Sequence, residues 1–114
     1  MNDLQKKIYD RLARYVAEET TSNSQSSTIP TTASQLPFGK MLAEEMKQIG
    51  LSNIGIDKNG FVFGEIPANV SGAPAVGFLA HMDTVEDYCG KNIRAVLHSN
   101  YQGGDLVINA EKNM

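Results

Sequence analysis

The chain has 114 residues, a net charge of −3 and a pI near 5.3, enough for one small domain with a modest core. The acidic balance gives no electrostatic case for binding nucleic acid, which usually needs a basic face. No apolar run approaches the roughly 20 residues that span a bilayer, no signal-peptide core follows the charged start Met1–Ile8, and the single Cys89 excludes an internal disulfide; this suits a reducing cytoplasm.

The first expected element is a helix over about Asp3 to Glu18. Leu4, Ile8, Leu12, Tyr15 and Val16 recur at helical spacing, with Lys6, Lys7, Arg11 and Arg14 on the other faces. Such a stripe is expected to pack on a sheet. Thr20–Ser34 follows, nearly all hydroxyl and amide side chains, and reads as a surface loop, mobile at its centre. A second helix is expected from Thr32 or Ser34 to Ile49. Thr32-Ala-Ser-Gln35 has the form of a capping box, whereas Pro37 fits the first turn if Ser34 is the cap. Phe38, Met41, Leu42, Met46 and Ile49 form its apolar stripe; Glu44, Glu45, Lys47 and Gln48 are expected to face water. Gly50 is placed to end the helix.

Asn53–Asp57 and Phe61–Ile66 read as strands of a hairpin around Asn59-Gly60. Ala75-Val-Gly-Phe-Leu-Ala80 is continuously apolar, as expected of a central strand covered on both faces. Asn92–Ser99 and Leu106–Ala110 are weaker strand candidates on either side of a turn at Asn100–Asp105. The last residues, Glu111–Met114, carry no stop signal of a finished domain. The order predicts an α/β fold in which two N-terminal helices pack on a mixed β-sheet.

His81 follows the apolar segment directly, and Asp83 lies two residues on. An imidazole so placed can bind a metal through one nitrogen while the carboxylate holds the other. His-x-Asp is a weak motif, and on spacing alone a loop histidine with Asp83 capping a turn is the slightly better reading. The place at the C-terminal end of a predicted central strand shifts the balance, because ligand sites of open α/β sheets lie at that edge. Glu86 and Asp87 read as solvated acids, Cys89 as a bystander, His98 as an ordinary histidine and Asp105 as a turn cap. One His cannot hold a catalytic zinc, which needs about three protein ligands and an open position.

Several segments together resemble the N-terminal part of the peptidase T family, zinc-dependent tripeptide aminopeptidases of the di-zinc clan of aminoacylases and glutamate carboxypeptidases. They are Arg14-Tyr-Val, Thr20-Thr-Ser, Leu42-Ala-Glu-Glu-Met-Lys-Gln-Ile-Gly-Leu51, Ile66-Pro-Ala-Asn-Val, Val76-Gly-Phe-Leu-Ala-His-Met-Asp-Thr84, Asp87-Tyr-Cys-Gly-Lys-Asn92 and Asn100-Tyr-Gln-Gly-Gly-Asp105. The resemblance implies that His81 is a ligand of one of two zinc ions and that Asp83 is the catalytic acid residue that orients it. It implies a short peptide as substrate. It also implies that the bridging acid, the general-base Glu and the remaining ligands of the family have no counterpart in this sequence. Residues 1–114 are therefore expected to be the first part of a metallopeptidase catalytic domain, without its lid, and inactive alone. An apolar strand left without neighbours predicts an oligomer or a marginally folded chain. The alternatives are another di-zinc dipeptidase or deacylase of the clan, or a truncated, non-catalytic interaction domain.

Overall fold

A computed structural model describes residues 1–111. The residues Lys112–Met114, where the sequence offers no stop signal, lie outside the described residues. The elements run α1 (Asp3–Val16), α2 (Gln35–Gln48), β1 (Ser52–Ile56) and β2 (Val62–Glu65), an α/β arrangement of two helices and an antiparallel pair.

Helix α1 starts where Asn2 caps it. The Asn2 side chain accepts from the Gln5 amide while the Gln5 side chain accepts from the Asn2 amide, a reciprocal pair that satisfies two otherwise orphaned donors. Helix α2 begins after Ser34, as Pro37 requires, but Ser34 makes no side-chain cap. Its end is a full Schellman turn. Gly50, at φ +90°, donates to the Lys47 carbonyl, and Leu51 donates to that of Met46.

The hairpin forms as the Asn-Gly signal implies, with the Asp57 carboxylate accepting from the amides of Asn59 and Phe61. Gly60 closes the turn at φ +89°, a conformation that few other residues adopt without strain. Gly55 pairs with Phe63 and Ile56 with Val62, while Ser52 opposite Glu65 requires a one-residue shift. Asn53 absorbs the bulge at φ +48°. Helix α2 covers this hairpin closely at Gly39, where an added Cβ would lie 3.0 Å from Ile56 Cδ1 and 3.3 Å from Val62 Cγ2.

Helix α1 does not lie on the sheet. It reaches the rest of the fold through its last turns, which rest on α2. The Tyr15 and Phe38 rings meet edge to face at 5.4 Å. Glu45, expected to face water, is buried. It accepts from Arg11 Nε at 2.5 Å, Arg14 Nη2 at 2.6 Å and Tyr15 Oη at 2.8 Å. Three donors from one face of α1 explain why a carboxylate is held there. Leu4, Ile8 and Leu12 of the same helix remain more than half exposed.

After Glu65 the described residues contain no regular strand. Ala75–Ala80, expected to be a central strand, makes no ladder, and Phe78 and Leu79 are 95% and 97% exposed. A strand buried on both faces needs neighbours on both edges, and the β1–β2 hairpin does not supply them. Asn92–Ser99 and Leu106–Ala110 are likewise irregular. The turn at Asn100–Asp105 is present: Tyr101 Oη donates to the Gly104 carbonyl, and Gly103 and Gly104 have φ +95° and +102°.

The molecule is correspondingly open. Its radius of gyration is 17.6 Å, against roughly 13 Å for a compact domain of this length. Its accessible surface is 9523 Å², against roughly 6,100 Å² for a folded monomer of this mass. Among the described residues, Phe38 and Ala43 are the buried apolar side chains. The ordered centre is therefore the contact of α2 with the hairpin and with the end of α1.

Candidate metal centre

The His81 segment returns to the N-terminal half at Thr84. The Thr84 amide donates to the Thr20 carbonyl at 3.1 Å, and the Ser22 amide donates to the Thr84 carbonyl at 2.9 Å. This is a parallel β-bridge centred on Thr21 and Thr84. The hydroxyl-rich loop is thus partly built into the fold. Thr20 is buried, its carbonyl also accepts from Gln35 Nε2 at 3.3 Å, and the Thr21 carbonyl accepts from Thr32 Oγ1 at 2.7 Å.

Within the segment, His81 Nδ1 lies 3.0 Å from Asp83 Oδ1. A carboxylate only accepts, so the shared proton sits on Nδ1; in the neutral ring Nε2 then carries the lone pair. The imidazole is 85% exposed and the Asp83 side chain 46%. The pair borders a cleft of about 400 Å³ whose other walls include Tyr15, Thr20, Phe38 and Cys89. The cleft is shallow and more apolar than polar in its lining residues.

The other candidates are dispersed. Among the described residues no three His, Cys, Asp or Glu side chains gather as a metal-holding group. Cys89 is an exposed free thiol; His98 and Asp105 are exposed and border no part of the cleft. Glu86, read as a solvated acid, is exposed but has a partner: its Oε2 accepts from the Ser24 amide at 2.7 Å, and hydrogen bonding from the Ser24 side chain, then from that amide, lowers its pKa. The donor set therefore offers one imidazole with its orienting carboxylate. It does not by itself fit a catalytic zinc, for which about three protein ligands are needed.

Tyr15, Glu45 and the threonine bridge were not singled out as site residues from the sequence. A signal existed for Glu45, which lies two helical turns after Phe38 and so on the same face. Arg11, Arg14 and Tyr15 likewise share one face of α1.

Helices, a hairpin and an imidazole held by a carboxylate beside a cleft define an α/β protein with one oriented histidine. No family model matches the chain. It is similar to peptidase T of Bacillus cereus, with 43% identity over 113 residues, which is 98% of this chain and 27% of that protein. Peptidase T of Bacillus mycoides is 43% identical and that of Bacillus thuringiensis 42% identical, each over 112 residues, 97% of this chain and 27% of the relative. The chain is homologous to peptidase T along nearly its whole length, and it spans about a quarter of the length of these relatives.

Proposed function

We propose that this chain supplies the first part of a zinc-dependent aminopeptidase that releases the N-terminal residue of tripeptides. His81 is one zinc ligand in this reading, and Asp83 is the acid that orients it. The observation that carries the proposal is the 3.0 Å contact between His81 Nδ1 and Asp83, inside a chain 43% identical to peptidase T over 98% of its length. The contact leaves Nε2 as the available ligand atom, the arrangement a metal-binding histidine needs. Because these residues offer a single ligand, no step of hydrolysis is assigned to them, and residues 1–114 alone are expected not to turn over peptides. The reading places the enzyme in the cytoplasm with a short peptide as substrate. Among the described residues no helix is long and apolar enough to cross a membrane.

A chimera tests the proposal. Residues 1–114 replace the matching segment of Bacillus cereus peptidase T, and release of leucine from Leu-Gly-Gly is followed with zinc present. The chimera is expected to be active. Asp83→Asn should lower activity or zinc affinity by about 10–100-fold, as for other residues that orient a ligand, and His81→Ala should lower it further. A folded chimera that is inactive, or whose His81→Ala variant remains as active as the parent, would sink the proposal.

A further inference from the structure

The hydroxyl-rich segment after α1 has no role in the reading above, yet the His81 segment is fastened to it. Upstream of His81 every residue from 71 to 80 is exposed. Downstream, three attachments reach the same arm, and Lys91 Nζ lies 3.8 Å from Glu19 Oε1 just before it. Thr84 exchanges backbone bonds with Thr20 and Ser22, and Ser22 Oγ donates to the Thr84 carbonyl at 3.0 Å. Glu86 accepts from the Ser24 amide. Gly90 lies so close to Thr21 that a Cβ built on it would be 2.4 Å from Thr21 Oγ1. On its other side the arm is held by Thr32 and by Gln35, which is 6% exposed at the start of α2.

We propose that Thr20–Ser24 is the positioning arm of the His81–Asp83 pair, docked by Glu86 and by the missing side chain of Gly90. The inference rests on the proposed role of His81 as a ligand. An imidazole and a carboxylate two residues apart in a free segment sample many relative geometries. A ligand is useful only when its supporting groups lock it in one. The route of that restraint runs from α2 through Gln35 and Thr32 to the arm, and from the arm across the Thr21–Thr84 bridge to Asp83. Glu86 and Gly90 are positioning residues here, because they touch the arm and not the imidazole.

Two matched pairs of variants of the full chain test this by NMR, without metal or substrate. Gly90→Ala places a Cβ against Thr21, whereas Gly77→Ala, in the same half of the chain, meets nothing within 4 Å. Glu86→Ala removes the acceptor for Ser24, whereas Glu86→Gln keeps a carbonyl oxygen there. Amide exchange of Thr84 and Ser22 reports the bridge, and the ring ¹⁵N shifts of neutral His81 report its tautomer. Gly90→Ala is expected to speed Thr84 exchange about tenfold or more and to shift His81 toward the tautomer mixture of free imidazole. Glu86→Ala is expected to do so several-fold, and Glu86→Gln and Gly77→Ala to match wild type. Unchanged hairpin amide signals from Ile56 and Val62 show that the fold persists; if Gly90→Ala unfolds the chain, the Glu86 pair decides. The proposal is overturned if Gly90→Ala and Glu86→Ala leave both readouts unchanged, or if Gly77→Ala disturbs them equally. Neither readout needs zinc, so this failure is distinct from that of the chimera.

Discussion

Replacing Glu45 by alanine should detach α1. The carboxylate accepts from Arg11, Arg14 and Tyr15, and beyond it the Tyr15–Phe38 ring contact is the main tie between the two helices. Hydrogen bonds to a charged group are worth about 1.5–3 kcal/mol each when sheltered. Arg11 and Arg14 are 45% and 48% exposed, while Glu45 is 9% exposed. The two guanidinium groups rehydrate when Glu45 is lost, so each pair contributes closer to the surface value of about 0–1 kcal/mol. With about 1 kcal/mol for the Tyr15 bond, the expected cost of Glu45→Ala is about 1–3 kcal/mol. A free 14-residue helix is marginal in water, so α1 should melt when it detaches. Because α2 also has 14 residues, circular dichroism at 222 nm should lose roughly half the helical signal before the α2–hairpin unit melts.

The pH dependence has a definite sign. Burial alone would raise the Glu45 pKa, but the bonds from Tyr15 and Arg11 and the charges of Arg11 and Arg14 outweigh it, and the net shift is downward. A lowered carboxylate contributes stability that is present above its unfolded pKa, about 4.3, and is lost as pH falls through the folded value. The gap between wild type and Glu45→Gln in a urea melt should therefore be full at neutral pH and close in the acid range below about pH 4. Unfolding free energies from urea melts of Glu45→Ala and wild type that agree within about 0.5 kcal/mol, or a wild-type to Glu45→Gln gap that does not change on acidification, would refute the clamp.

Two further outcomes are expected. Leu79 and Phe78 are almost fully exposed, so sedimentation of the chain should show concentration-dependent association. Phe78→Lys with Leu79→Lys should shift it toward monomer, and a wild-type chain that is monomeric at all concentrations would count against the expectation. Gly60→Ala should cost about 1–2 kcal/mol, because the turn holds φ +89° and an L side chain is strained there. A melt unchanged by that substitution would show that the turn relaxes freely.

How much of this was legible in the sequence depends on how local the cause is. The two helices, the hairpin and the Gly50 stop rest on periodicity and on turn residues whose partners lie within a few positions, and all of them formed. The orienting contact of His81 with Asp83 also spans two residues. The burial of Glu45 depends on donors 30–34 residues away, and nothing near Glu45 marks it except its place on the Phe38 face. The central strand failed for the opposite reason. Its composition states a demand for neighbours, but neighbours come from other parts of a sheet, and the hairpin does not provide them.

The sequence by itself determined which segments are helices and which residues turn, and it set Asp83 two residues from His81, within reach of its ring. These follow from side-chain shape and hydrogen bonding along a few residues of chain. Only the tertiary structure decided where that pair is held. The Thr21–Thr84 bridge joins residues 63 apart, between a polar loop with no periodicity and a segment whose apolar run points elsewhere. Such a bridge is chosen by backbone groups, which every residue carries alike, and so it leaves no mark in side-chain pattern.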